Sequence, residues 1–181
     1  MSSPLIKAVV RTKLLLTGRA SATNGIIKIR DQYLGLASKL SIQEGTTAVS
    51  IPPMIGVDPE MQHWSFFQIL EHNAIVNRMI AHTVEKLARR EDPTPERPIN
   101  HKTDVLPHEV ALSGSEQIEA FRESVDDYLS MIETLPHLRG TAETPHPVFG
   151  LFDAHKWHCM FGFHLGLHLK QAEKVISLLP R

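Results

Sequence analysis

The sequence has 181 residues, 42% of them hydrophobic, and its 19 basic and 20 acidic residues leave a net charge of −1. This length suits one domain, the apolar fraction argues against global disorder, and the balanced charge disfavours a nucleic-acid partner bound through bulk charge. The single cysteine, Cys159, excludes an internal disulfide and a cysteine-rich zinc module. It is typical of a reducing compartment, so we expect a cytoplasmic protein. No apolar run approaches the roughly 18 residues of a membrane span, so we expect no membrane partner.

The first 30 residues are basic: they contain six lysines and arginines, and the first acidic residue is Asp31. An acid-free start resembles a transit peptide, and the Ala-Ser-Ala sequence of residues 20–22 resembles a cleavage site. Basic residues interrupt the apolar stretches, however, and leave no signal-peptide core. We therefore expect residues 1–20 to form a short amphipathic helix that packs on a single domain of residues 21–181. The same segment is a candidate surface for a homodimer.

Helical periodicity recurs in four later segments, whereas alternating strand patterns bounded by hairpin dipeptides are nearly absent. The predicted helices span about residues 24–40, 62–90, 115–135 and 153–179. Asp153 is a good N-cap residue for the last helix, and Pro180 closes it. Four long helices in a chain of this length predict an all-α four-helix bundle, preceded by the short N-terminal helix.

The connection between the second and third predicted helices, residues 91–114, is long and contains four prolines. A helix of about 28 residues is about 42 Å long, and a connection of about 24 residues reaches about 79 Å when extended. The third helix can therefore run parallel to the second. The length of the connection permits this topology without selecting it.

Histidine is unusually frequent, with 11 residues, and it is the commonest metal ligand in proteins. On the last helix, His164 and His168 lie about 40° apart on one mostly apolar face, and this spacing lets two imidazoles bind one metal ion. On the second helix, His72 lies centrally on a mixed apolar face and near the middle of the helix. If these two helices are neighbours, the three imidazoles converge inside the bundle.

The alternative interpretation is a packed core that contains three neutral, hydrogen-bonded histidines. A His-x-x-x-His pair alone is weak evidence for a metal site. Clustered buried imidazoles each need a polar partner, however, and Glu71 and Glu173 point away from the shared faces. One metal ion would satisfy three nitrogens at once.

Other polar residues receive weaker predictions. Gln68 and Gln171 each lie one helical turn from a candidate ligand and are placed to orient water or a ligand, although ordinary polar positions at a bundle seam explain them equally well. Ser65 and Thr83 are weaker candidates still, and no general base can be named. Three further side chains of the last helix point away from the candidate site: His155, His158 and Cys159.

Two windows of the sequence resemble the DinB/YfiT-like superfamily. Residues 63–73, with the lead-in Ile51-Pro52-Pro53, resemble its second helix. Residues 146–171, which begin His-Pro-Val-Phe-Gly, resemble its last helix and the segment before it. The resemblance covers about residues 25–179. It implies an up-down-down-up bundle with a long connection between the second and third helices. It also implies a divalent metal held by three histidines, which map onto His72, His164 and His168.

Relatives in this superfamily include thiol S-transferases and isomerases that use low-molecular-weight thiols such as bacillithiol or mycothiol. Others are classed as hydrolases, and many have no known activity, so the resemblance predicts a scaffold better than a reaction. Three neutral imidazoles leave the charge of a divalent ion uncompensated and leave coordination positions open. We therefore expect a metal-dependent enzyme in which zinc, nickel or manganese activates a low-molecular-weight thiol or water for attack on a small electrophilic substrate.

Two other function classes are consistent with the same residues. One is a non-catalytic bundle that binds a metal or a small ligand in a stress-related role. The other is a structural helical protein in which the three histidines only pack. The metal content of the purified protein separates the structural protein, which binds no metal, from the metal-dependent enzyme and the non-catalytic metal-binding bundle.

Overall fold

The computed structural model describes residues 4–94, 100, 103–107 and 113–180, and the side chains of residues 4–6 lie outside this description. The described residues form six α-helices: α1 (Pro4–Leu16), α2 (Arg19–Ala37), α3 (Ile42–Thr46), α4 (Phe66–Ala88), α5 (Ser115–Thr134) and α6 (Ala154–Ser177). They also form a single 3-10 turn, Pro59–Met61, and four short strands: β1 (Val49–Ser50), β2 (His63–Trp64), β3 (Glu143–His146) and β4 (Gly150–Asp153).

The four long helices α2, α4, α5 and α6 pack together as a bundle, in which α4 and α2 each contact both α5 and α6. Its centre is filled by large side chains that are fully buried, including Tyr33, Phe66, Phe121, Tyr128 and Phe161. Burial of this apolar surface is the main source of stability for such a bundle. The expectation of a mostly helical bundle is therefore confirmed. The long connection between α4 and α5 is described only in part.

Two small antiparallel sheets correct the expectation that strands are nearly absent. Strands β1 and β2 pair only two residues each, which is too short for an alternating pattern to appear in the sequence. Strands β3 and β4 form a hairpin in which His146 pairs with Gly150 across a three-residue loop. Gly150 has a φ of +86°, which glycine adopts without strain, and a glycine in this region is typical of three-residue hairpin loops. A search for two-residue turns does not detect such a loop.

N-cap residues determine where the two longest helices, α4 and α6, begin. Helix α4 begins at Phe66, four residues later than predicted, because Ser65 and Gln68 form a capping box: the Ser65 hydroxyl accepts from the Gln68 amide, and the Gln68 side chain accepts from the Ser65 amide. The Asp153 carboxylate accepts from the Lys156 amide at 2.9 Å, which confirms the predicted N-cap of α6. The short helix α3 was not predicted.

Helix α1 lies on the outside of the bundle against α6. Val10 and Leu14 are buried there in a small cluster with Phe152, Cys159 and Met160. Over the residues that the structure describes, no helix combines the length and the apolarity needed to cross a membrane.

The Phe67 ring packs directly against the backbone of Gly45, and a Cβ atom at Gly45 would overlap this ring. We expect Gly45→Ala to lower the free energy of unfolding by about 1–3 kcal/mol, because the ring must leave its rotamer. Gly35→Ala is the matched control, since nothing lies within 4 Å of its Cβ position. It lies inside α2 and should raise the free energy of unfolding by about 0.5–1 kcal/mol. Urea denaturation measures both changes, and equal effects would contradict the packing argument.

Candidate metal centre

Helices α4 and α6 bring His72, His164 and His168 together. One ring nitrogen from each residue lies within 4.8 Å of the other two. His72 Nε2 and His164 Nε2 are 3.3 Å apart. A tetrahedral ion with bonds of about 2.0–2.1 Å holds its ligand nitrogens about 3.3 Å from one another. The separation of these two rings therefore suits a shared ion.

Neighbouring acceptors hold the outer nitrogens of two of these rings. His72 Nδ1 lies 2.6 Å from the Val105 carbonyl oxygen, which can only accept, so Nδ1 carries the proton. His168 Nδ1 lies 2.7 Å from Gln171 Oε1, and Gln171 Nε2 donates to the Met61 carbonyl at 2.7 Å. The amide orientation of Gln171 makes its Oε1 an acceptor, so His168 also carries its proton on Nδ1. Both rings are therefore left with an Nε2 lone pair.

The third ring shows why these residues fit a cation. His164 Nδ1 is buried and, among the residues that the structure describes, has no hydrogen-bond partner. Without an ion, the His164 ring can offer at most one hydrogen to the two lone pairs of His72 and His168. A buried lone pair without a donor destabilises the folded state, and a cation bound by the three nitrogens removes that cost. The donor set of three neutral imidazoles suits zinc, nickel and other transition ions.

Burial keeps these rings neutral. Desolvation, and then the neighbouring His168 ring, lower the pKa of His72 to about 3. Desolvation also lowers the pKa of His164 well below its usual value and lowers that of His168. Neutral imidazole is the form that binds a metal, so the three rings are in their ligating protonation state at neutral pH.

Of the four other polar residues that were candidates for the site, one contacts the cluster and three have hydrogen bonds elsewhere. Gln171 contacts the His168 ring, as its spacing predicted. Gln68 and Ser65 serve the N-terminus of α4 instead, and the Thr83 hydroxyl donates to the Met79 carbonyl. Among these candidates, Gln171 alone has a hydrogen bond to a histidine of the cluster in the described part of the chain.

Sequence reasoning missed two neighbours of His72. The Val105 carbonyl belongs to the connection between α4 and α5, and no residue type marks a backbone acceptor of this kind. The Trp64 ring, only 6% exposed, packs with its centroid 5.2 Å from that of His72. Its position in the sequence could have indicated this contact, because an apolar residue directly before an N-cap such as Ser65 often packs onto the helix that follows.

A second group of rings lies beside His164. His146 of β3 packs against Phe149, Phe152 and Trp157 with centroid distances of 4.9–5.1 Å. A charge on His146 would lower the pKa of His164, so the two rings are electrostatic neighbours. The hairpin β3–β4 therefore brings His146 near the candidate metal centre.

The remaining histidines of α6 point away from the cluster, as the helical angles predicted. His158 lies 2.8 Å from the Tyr128 hydroxyl and 3.2 Å from the Thr23 hydroxyl, and His155 Nε2 lies 2.9 Å from the Thr17 carbonyl. Cys159 is buried under α1, and this burial raises the pKa of its thiol to about 11. A thiol that stays protonated at neutral pH is a packing residue rather than a nucleophile.

His158 predicts a pH-dependent stability. Its burial lowers its pKa from 6.5 to about 4, so the unfolded chain gains a proton there at a higher pH than the folded chain. The free energy of unfolding should therefore fall as the pH drops from about 6.5 to about 4, by up to about 3 kcal/mol. Urea denaturation of metal-free protein near pH 7 and near pH 5 tests this. His158→Gln should reduce the difference by about 2 kcal/mol, while the other buried histidines contribute equally to both proteins. An unchanged difference in the variant would contradict the assignment.

The sequence was compared with protein families, curated proteins and solved structures. The sequence model described as the DinB superfamily matches residues 27–172, a range that includes all three histidines and excludes α1. No curated protein and no solved structure matches the chain.

Proposed function

The chain belongs to the DinB superfamily, and on that premise we propose that it is a metal-dependent enzyme whose ligands are His72, His164 and His168. The observation that carries the proposal is the convergence of these three rings, of which His72 and His168 are buried and have their outer nitrogens held by protein acceptors. Zinc, nickel and manganese are the candidate ions.

We propose that the enzyme uses a low-molecular-weight thiol or water against a small electrophilic substrate. A divalent ion held by three neutral imidazoles supplies an open coordination position and lowers the pKa of a thiol or water bound there. The chain's own residues fix the site around it. Val105 and Gln171 orient two of the rings, and the buried Trp64 ring excludes water from one side of His72.

Cobalt substitution tests for an open position. We expect the cobalt-loaded protein to change its visible spectrum when a thiol is added, because a thiolate enters the coordination sphere. A thioether of similar size is the control and should leave the spectrum unchanged. The zinc-loaded protein should then conjugate a thiol to a chlorinated arene or an epoxide. A spectrum that no thiol or small anion alters would contradict an open site, and no turnover across several thiols and metals would contradict the transferase reading.

The alternative is a non-catalytic metal-binding bundle. The deep burial of His72 and His168, each 2% exposed, favours this alternative because it restricts access to the ion. The cobalt experiment separates the two functions, since a closed site binds the metal without responding to added ligands.

Three finer features belong to the same proposal. We propose the up-down-down-up topology for the bundle, with residues 21–181 as one domain and residues 1–20 retained as a segment packed on it. Mass spectrometry of the purified N-terminus tests the retention, because a chain that starts near residue 23 would contradict it.

We also propose a cytoplasmic homodimer, and light scattering of the purified protein tests its oligomeric state.

A further inference from the structure

Helix α1 is apolar on two opposite faces. Its inner face is formed by Val10 and Leu14, which pack against α6 and the hairpin. At 100° per residue, the side chains of Val9, Leu15 and Leu16 lie about 100–140° away from Val10 in either direction. These three residues are 60%, 53% and 80% exposed. A helix that only covers a core needs one apolar stripe, so the outer face requires a separate explanation.

Basic residues lie along both edges of this outer face. Measured from Val10, Lys13 is at about −60°, Lys7 at about 60° and Arg11 at about 100°, which places cations between the two apolar faces on each side. Arg11 and Lys13 are exposed. Within the described part of the chain, none of the three basic residues is in an ion pair. Helix α1 contains no acidic residue.

The same surface continues onto neighbouring elements. The Arg11 guanidinium lies 3.3 Å from the Cβ position of Gly150, in the hairpin β3–β4. At the other end of α1, the exposed Arg139 donates to the Leu15 carbonyl at 3.0 Å. We call this exposed face of α1 the outer patch: Val9, Arg11, Lys13, Leu15 and Leu16.

We propose that the outer patch binds the surface of an anionic phospholipid bilayer. Exposed aliphatic side chains flanked by lysine and arginine are the pattern of helices that lie in the membrane interface, where the apolar groups enter the bilayer and the cations meet anionic headgroups. The charge of the whole molecule supports this orientation. Residues 1–30 carry a charge of +6 within a chain of net charge −1, so the rest of the chain carries −7 and is repelled from such a surface.

Two other occupants fit the patch less well. A second copy of the chain, seated on it by two-fold symmetry, would bring the unpaired cations of both α1 helices together. A nucleic acid would leave the aliphatic side chains in water, because valine and leucine offer no stacking surface.

The expectation of no membrane partner rested on the lack of a spanning segment, and a helix that lies in the interface needs none.

Co-sedimentation with lipid vesicles tests the proposal on the full-length protein. We expect binding to vesicles that contain phosphatidylglycerol and much weaker binding to pure phosphatidylcholine. Leu16→Gln should weaken the partition constant about tenfold, because one aliphatic side chain no longer enters the bilayer. Lys13→Gln should weaken it about fivefold and reduce its salt dependence. Ile55→Gln is the matched control: Ile55 is 76% exposed on a loop outside the outer patch, and its replacement should change nothing.

Several outcomes would overturn the proposal. These are no binding to anionic vesicles, equal binding to neutral and anionic vesicles, or binding that Leu16→Gln leaves intact. Light scattering adds another: a dimer that dissociates in Leu16→Gln without any lipid binding would show that a second copy occupies the patch. Circular dichroism establishes that the variants fold. None of the mutated residues contacts the three-histidine cluster, so the metal content stays unchanged whichever way the lipid experiment ends.

Discussion

Alanine at His72 or at His168 should abolish metal binding. We expect the purified protein to hold about one divalent ion per chain and each variant to hold none by elemental mass spectrometry. Each substitution removes one of three protein ligands, and one ligand contributes enough free energy to change the affinity about a hundredfold or more. The variants should keep their helical circular dichroism, since the bundle core consists of other side chains.

His158→Gln is the matched control for this experiment. His158 is also a buried histidine of α6, but its ring nitrogens contact the Tyr128 and Thr23 hydroxyls rather than the cluster. The control should therefore retain the metal that the other two variants lose. A wild-type protein without metal after reconstitution with zinc, nickel and manganese would overturn the proposed enzyme. The three rings would then be core histidines, or a site that this protein has lost.

The convergence of the three histidines was predictable because it depends mainly on helical geometry. A rotation of 100° per residue fixes which side chains of a helix share a face, and this rule placed His164 and His168 together and His155 and His158 elsewhere. The position of His72 near the middle of a second long helix completed the prediction. The remaining assumption, that these two helices are neighbours, is met by α4 and α6.

The partners of the rings were less predictable. His72 and Gln171 contact the carbonyls of Val105 and Met61, which lie in the connections between the long helices. Every residue has a carbonyl, so the sequence contains no mark of which one reaches the site. The Ser65–Gln68 pair is different, because the S-x-x-Q pattern of a capping box was present and would have placed the start of α4 correctly. Gln68 then would not have been a candidate for the site.

The pattern of contacts suggests how folding and metal binding are coupled. Val105 belongs to the α4–α5 connection and Met61 to the 3-10 turn before α4. The Val105 carbonyl accepts from His72, and the Met61 carbonyl accepts from Gln171. An ion that draws electron density from Nε2 makes each Nδ1–H a stronger donor. Metal binding should therefore stabilise these two connections as well as the three rings.

Replacing Gln171 should lower both stability and metal affinity, because its side chain accepts from His168 Nδ1 and donates to the Met61 carbonyl. Gln171→Leu leaves the His168 Nδ1–H and the Met61 carbonyl without a partner in a site where the residue is fully buried. We expect the free energy of unfolding of the metal-free protein to fall by about 2–4 kcal/mol. We also expect the metal affinity to fall about 10–100-fold, because the His168 ring loses its orientation. Urea denaturation and competition with a chelating dye measure the two effects.

Gln171→Glu separates orientation from stability. A carboxylate still accepts from His168 Nδ1 and adds a negative charge near the ion, so the metal affinity should equal or exceed that of the wild type. The same carboxylate cannot donate to the Met61 carbonyl, and a buried charge without an ion is unfavourable, so the metal-free protein should be less stable. Gln43→Leu, at an exposed position in α3, is the control for a loss of amide in general. If Gln171→Leu kept the wild-type metal affinity, packing alone would orient His168, and the Gln171 amide would serve only to anchor the Met61 carbonyl.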